Sequence, residues 1–203
     1  MKQINCFIAF KDAAQTRETV ENLLKSATVN KVYLLATEPT NETVPGCEML
    51  FIDAMNSSAT VRKIAEKSDT EYSLIYTKFT TLEPGQYALE RFLRVASDTR
   101  AGLGYSDYYQ IADGVRSNLP VIDYQQGSLR DDFNFGSVLF YHASCLKKAV
   151  EETTQEYKFA GLYNLRLKVS EYAELFHMNE YLYSEVESDT RKSGEKIFDY
   201  VDP

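Results

Sequence analysis

An α/β fold, with a mainly parallel central sheet flanked by helices, is predicted by three features of the sequence. Apolar runs without alternation recur along the first half, as strands buried on both faces require. Stretches of helical periodicity separate those runs. Gly, Pro, Asp and Tyr then break the pattern in the second half, which predicts a long binding loop over the sheet.

The run Ile4–Phe10 is the first strand, and Lys11-Asp12 ends it before a helix over about Ala13–Ala27 with Val20, Leu23 and Leu24 apolar. Lys31–Thr37 and Glu48–Asp53 read as the second and third strands. Ser57-Ser58 supplies an N-cap for a helix through Val61, Ile64 and Ala65, and Tyr72–Tyr76 is the fourth strand. Leu82-Glu83-Pro84-Gly85 is expected to open a helix, because Pro84 suits a first turn and Leu89, Phe92, Leu93 and Ala96 share one face. A fifth strand is expected at Gly102–Ser106, an irregular loop over Tyr108–Phe135, and a sixth strand at Gly136–Tyr141. Helices at Ala143–Glu152 and Leu162–Ser170 and a strand near Ala173–Met178 complete the pattern. The polar stretch from Glu185 to Pro203 has no closing element, so the expected organisation is a domain over 1–184 and a segment over 185–203 leading into a further domain.

Composition narrows the function classes. Hydrophobic residues make up 44% and charged residues 26%, a globular balance. Thirty acidic against 22 basic residues, with no Lys/Arg cluster, exclude a phosphate-backbone track and hence nucleic acid as a partner. The first apolar run is too short for a signal sequence or a membrane span, which places the chain in the cytoplasm. Cys6, Cys47 and Cys145 are odd in number and widely spaced, as expected of buried free thiols.

The order of landmarks resembles that of the inverting nucleotide-sugar glycosyltransferases with a GT-A fold. Ala9-Phe10-Lys11-Asp12 stands where the family's first strand opens the nucleotide site. Asn56-Ser57-Ser58-Ala59-Thr60-Val61-Arg62 echoes the helix after the third strand, and Glu71–Tyr76 resembles the fourth strand. Phe135–Tyr141 resembles the acceptor-side strand, Tyr163–Lys168 the following helix, and His177–Tyr183 the segment after it. Tyr105–Tyr109, Val121–Gln125, Ser128–Phe133 and Arg191–Lys196 are similar to a Bacteroides-type branch, in which a second glycosyltransferase domain follows in the same chain.

The resemblance implies a divalent cation, Mg²⁺ or Mn²⁺, held by Asp-x-Asp after the fourth strand. Thr77-Lys78-Phe79 stands there instead, so no metal is firmly expected. Lys78 either neutralises the diphosphate with its own charge or is a solvated strand-end lysine. The catalytic base implied before the Tyr163 helix is replaced by Gly161-Leu162, and the nucleotide-edge acid by Ala36-Thr37. The nucleotide side thus comprises Ala9, Phe10, Asp12, Thr37, Arg62 and Lys78.

Substitute carboxylates are Asp107, at the end of the fifth strand where open sheets bind ligands, and Asp131 and Asp132 in the loop. The alternatives are a turn or cap for Asp107 and a surface ion cluster with Arg130 for the pair. On the acceptor side stand Arg130 and His177; His177 either reaches a ligand or is a buried hydrogen-bonded histidine. His142 reads as structural. Tyr105, Tyr108, Tyr109 and Tyr124 either stack on a base or sugar or pack in the core.

Two functions follow. One is sugar transfer from a nucleotide donor with degenerate metal and base motifs. The other is a non-catalytic module that binds a nucleotide sugar or glycan beside a catalytic domain, since function resides in the site rather than the fold. Self-association as a homo-oligomer through the tyrosine-rich loop is a third.

Overall fold

A computed structural model describes residues 2–125, 127 and 133–187. Four strands, β1 (Ile4–Phe10), β2 (Val29–Ala36), β3 (Cys47–Phe51) and β4 (Tyr72–Tyr76), run parallel in the order β3-β2-β1-β4. Every residue of β1 is buried, which its central place and unbroken apolar pattern require. The connecting helices α1 (Ala13–Leu24) and α2 (Ser58–Lys67) begin at side-chain caps: Asp12 accepts the Gln15 amide at 2.8 Å and Ser57 the Thr60 amide at 3.1 Å.

Beyond β4 the sheet becomes mixed. The next strands are β5 (Thr81–Pro84), β6 (Leu103–Ala112), β7 (Val115–Leu119), β8 (Val138–His142) and β9 (Leu175–Val186), with α3 (Ala88–Thr99) between β5 and β6. Strand β8 inserts antiparallel between β4 and β6, β9 runs parallel to β6, and β5 and β7 pair antiparallel with β9 and β6. Helices α4 (Ala143–Glu152) and α5 (Gly161–Ser170) pack with α2, while α1 packs on β5 and α3 on β9 and β6. The predicted α/β class stands, with four parallel pairings joined by four antiparallel ones.

Several local expectations are corrected. Leu82-Glu83-Pro84 is strand, not a helix start. β5 is the outer strand of the sheet, where a proline's missing N–H breaks no ladder, and its first residues are fixed by the Leu82 amide on Thr19 Oγ1 at 3.0 Å. The fifth predicted strand continues to Ala112 and turns back as β7, so Tyr108–Leu119 is a hairpin rather than irregular loop. Asp113 and Gly114 make its turn, both with positive φ. The last strand, expected near Ala173–Met178, runs over Leu175–Val186 and buries Glu185. All three cysteines are free thiols, but Cys47 and Cys145 are only partly buried.

Candidate functional site

The strand registers bring several predicted residues to one edge. Ile8 pairs with Tyr76 and Phe10 with Ala36, so Phe10, Thr37 and Lys78 emerge together at the C-terminal ends of β1, β2 and β4. Ala9 and Phe10 are buried, whereas Thr37 and Lys78 are exposed. Asp12 lies at the same edge, its carboxylate engaged in capping α1. Tyr141 of β8 pairs with both Ser73 and Leu103, and Phe140 with both Leu74 and Gly104. Counting outward from those levels places Asp107 at the level of Thr77, on the same edge.

Arg62 lies elsewhere. Its guanidinium makes two hydrogen bonds to the Glu156 carboxylate, at 2.7 and 2.6 Å, on the side of α2 facing the α4–α5 connection. Arg130, Asp131 and Asp132 lie outside the described residues.

Asp107 and His177 meet. The ladder between β6 and β9 is irregular on both sides of Asp107, where Ser106 pairs with Met178 but Asp107 with Tyr181. Bulges of this kind re-aim side chains beside binding sites. His177 Nε2 is 2.9 Å from Asp107 Oδ1, and its Nδ1 is 2.6 Å from Oδ1 of Asp123, a residue not singled out from the sequence. Tyr105 stacks on the imidazole with centroids 5.0 Å apart. The Asp107 and His177 side chains are 9% and 2% exposed, whereas that of Asp123 is 72% exposed.

The same groups hold the chain that carries Asp123. Val121 donates its amide to Asp107 Oδ1 at 2.9 Å; the Tyr105 hydroxyl donates to the Ile122 carbonyl at 3.0 Å and accepts the Tyr124 amide at 2.8 Å. Burial, slightly offset by the Tyr124 amide, pushes the Tyr105 hydroxyl up to about 12, so it stays a donor. Four consecutive residues, 121–124, are therefore fixed to the sheet by Tyr105, Asp107 and His177.

A second polar group joins the start of β8 to β9. Tyr183 OH accepts the Ser137 amide at 2.8 Å, and the Ser137 hydroxyl donates to the buried Glu185 carboxylate. Burial raises the Glu185 carboxyl above the usual glutamate range, opposed by the Ser137 hydroxyl and the positive charge of Lys78. Thr77-Lys78-Phe79, where the resemblance implies the metal ligands, offers a hydroxyl, an ammonium and a ring, which do not fit a divalent cation, and no group of three His, Cys, Asp or Glu side chains among the described residues could hold one.

The missing base has a structural counterpart. Gly161 donates its amide to Asn56 O at 2.7 Å, and a Cβ there would lie 2.5 Å from both Ser57 C and Ser58 N. The position where the resemblance implies a carboxylate is thus closed against the backbone that starts α2. Most of the tyrosines proposed as stacking platforms already stack within the protein: Tyr105 on His177, Tyr108 on Tyr183, and Tyr109 between Tyr181 and Arg116. His142 has the structural role expected, hydrogen-bonded to Ser144 and edge-on to Tyr72.

No family model and no curated protein sequence matches the chain. Among solved structures it is similar to residues 1–349 of S. aureus TarS, a glycosyltransferase of GT-A type, with a TM-score of 0.64 and 10% identity over 91% of this chain and 60% of that one. Against TarS 1–349 in complex with UDP-GlcNAc the TM-score is 0.61 at 9% identity, covering 92% of this chain and 59% of the other. The chain thus spans about three-fifths of the length of these TarS chains. Its fold is the GT-A type that the sequence landmarks implied.

Proposed function

We propose that the chain is a glycosyltransferase-type domain that receives a nucleotide sugar on the sheet edge formed by Phe10, Thr37 and Lys78. The observation that carries this reading is the likeness, over 91% of the chain, to a fold that holds UDP-GlcNAc in TarS. Lys78 supplies positive charge for the diphosphate in place of a metal, while Ala9, Phe10, Asp12 and Thr37 border the nucleotide. The acceptor approaches from the side of Asp107 and His177, and Arg130, Asp131 and Asp132, which lie outside the described residues, belong to the same acceptor-side proposal. No helix among the described residues is long and apolar enough to cross a membrane, and a cytoplasmic location is part of the proposal. A second transferase domain following residues 185–203 is part of the same proposal, as is association with another copy through the loop.

A non-catalytic module that binds a nucleotide sugar or glycan beside a catalytic partner is the second reading. It is favoured by Gly161, where α2 leaves no room for the family's base. Thermal denaturation with UDP, GDP and dTDP sugars, each with and without Mn²⁺, tests what the two readings share. A ligand that binds only the folded state must raise the melting temperature. A rise that is independent of Mn²⁺ is expected; no shift with any nucleotide sugar would refute nucleotide-sugar binding. Turnover of a bound sugar separates transferase from binding module.

A further inference from the structure

We infer that Asp123 is the substitute catalytic base of this domain, and that His177 and Asp107 are the positioning residues that present it. The assignment rests on the transferase reading above. Asp107 faces the right edge, but it is buried and its Oδ1 already receives the Val121 amide and His177 Nε2, so it cannot meet an incoming hydroxyl. Asp123 is the member of the trio that reaches solvent, and among the described residues its hydrogen bond to His177 engages Oδ1, leaving Oδ2 for a ligand.

His177 lies between the two carboxyl groups, with Nε2 on Asp107 and Nδ1 on Asp123, so the buried ring ties the exposed Asp123 side chain to the sheet. Tyr105, stacked on the imidazole and bonded to both sides of Asp123 through Ile122 O and Tyr124 N, fixes the carboxylate in place. General-base catalysis requires this positioning as much as the basicity. In the step, the acceptor oxygen forms a bond to C1 of the sugar while its proton passes to Asp123 Oδ2. The bond from C1 to the diphosphate oxygen breaks, its electron pair leaves on that oxygen beside Lys78, and Asp123 later returns the proton to water.

The experiment is nucleotide release from UDP, GDP and dTDP sugars with water as acceptor, using the whole chain. Wild type is expected to release nucleotide. Asp123→Asn should lower kcat by about 10²-fold or more, with KM and the nucleotide-induced melting shift unchanged; the exposed side chain makes this variant safe for folding. His177→Gln should lower kcat in the wild-type background and add nothing in the Asp123→Asn background, a coupling that a merely structural histidine lacks. Undiminished turnover in Asp123→Asn would overturn the assignment, as would a wild type that binds a nucleotide sugar and releases nothing. A wild type that binds none would instead overturn the transferase reading on which it rests.

Discussion

Gly161 lies so close to Ser58 that a methyl group on its Cα would sit 2.5 Å from the Ser58 nitrogen. The contact is backbone against backbone, because Gly161 N bonds Asn56 O and Ser58 N bonds Tyr157 O at 2.8 Å. Neither side can give without moving a helix start. Gly161→Ala should therefore destabilise the fold by about 1–3 kcal/mol, the usual cost of overpacking, and Gly161→Glu should cost more without restoring a base. Urea denaturation measures this; a neutral Gly161→Ala would show that α5 is free to shift away from α2.

Asp107 and Asp123 should differ sharply when truncated. Asp107→Ala leaves the Val121 amide and His177 Nε2 unsatisfied in a buried site, so a loss of about 2–4 kcal/mol is expected from two bonds to a charged acceptor. Asp123→Ala removes an exposed carboxylate and should cost less than about 1 kcal/mol. Equal losses by chemical denaturation would mean that the 121–124 segment is not held as the distances indicate.

This contrast marks what could be read from the sequence. Strands β1, β2 and β4 and helices α1, α2 and α4 were legible because burial on both faces and capping at Asp12 and Ser57 are written locally. Pro84 misled: a proline before a periodic helix is a first-turn signal, and only the position of β5 at the sheet border makes it strand. Asp107 and His177 were each visible as candidates, but their contact is fixed by the β6–β9 register across 70 positions, which no local spacing reports. Asp123 lacked even that much signal, since its role comes from a hydrogen bond to a side chain 54 positions away.

Tyr141 offers a stability gain. Its hydroxyl is enclosed beside the Arg166 guanidinium and has no hydrogen-bond partner among the described residues, nor has Arg166 Nε. Burial drives the tyrosine pKa upward and the arginine's downward. Removing an unpartnered buried hydroxyl relieves a desolvation penalty of about 1 kcal/mol, so Tyr141→Phe should be as stable as wild type or more so. A loss above about 1 kcal/mol would reveal an internal water or a direct bond to Arg166.

Glu185 makes stability depend on pH. Its folded pKa is raised above the ordinary 4.5, chiefly by burial. A raised folded pKa means that the contribution is fully present below about 4.5 and is lost as pH rises through the folded value. Glu185→Gln, whose amide oxygen can still accept from Ser137, should match wild type near pH 4 and become progressively more stable than wild type as the solution is made neutral. Denaturation curves of both proteins across that range test the sign; a gap that narrows with pH would show that Lys78 and Ser137 outweigh the burial.

Lys78 decides how the edge treats phosphate. It is exposed two residues beyond β4, level with Phe10, and its charge is felt by the buried Glu185. Among the described residues no group of three potential ligands could hold a cation here, and the diphosphate of a bound nucleotide has this ammonium to meet. One charge-assisted hydrogen bond is worth about 1.5–3 kcal/mol, so Lys78→Ala should weaken UDP binding by about ten- to a hundredfold. Lys78→Arg should retain more of the affinity, because the charge stays although its geometry changes. Added salt should weaken binding to wild type more than to Lys78→Ala, since screening acts on the charge that the variant lacks. Calorimetric titration with UDP in the presence and absence of Mn²⁺ separates the alternatives. Affinity that falls in Lys78→Ala and ignores Mn²⁺ supports phosphate neutralisation by the lysine; affinity untouched by the substitution would make Lys78 an ordinary solvated strand-end residue.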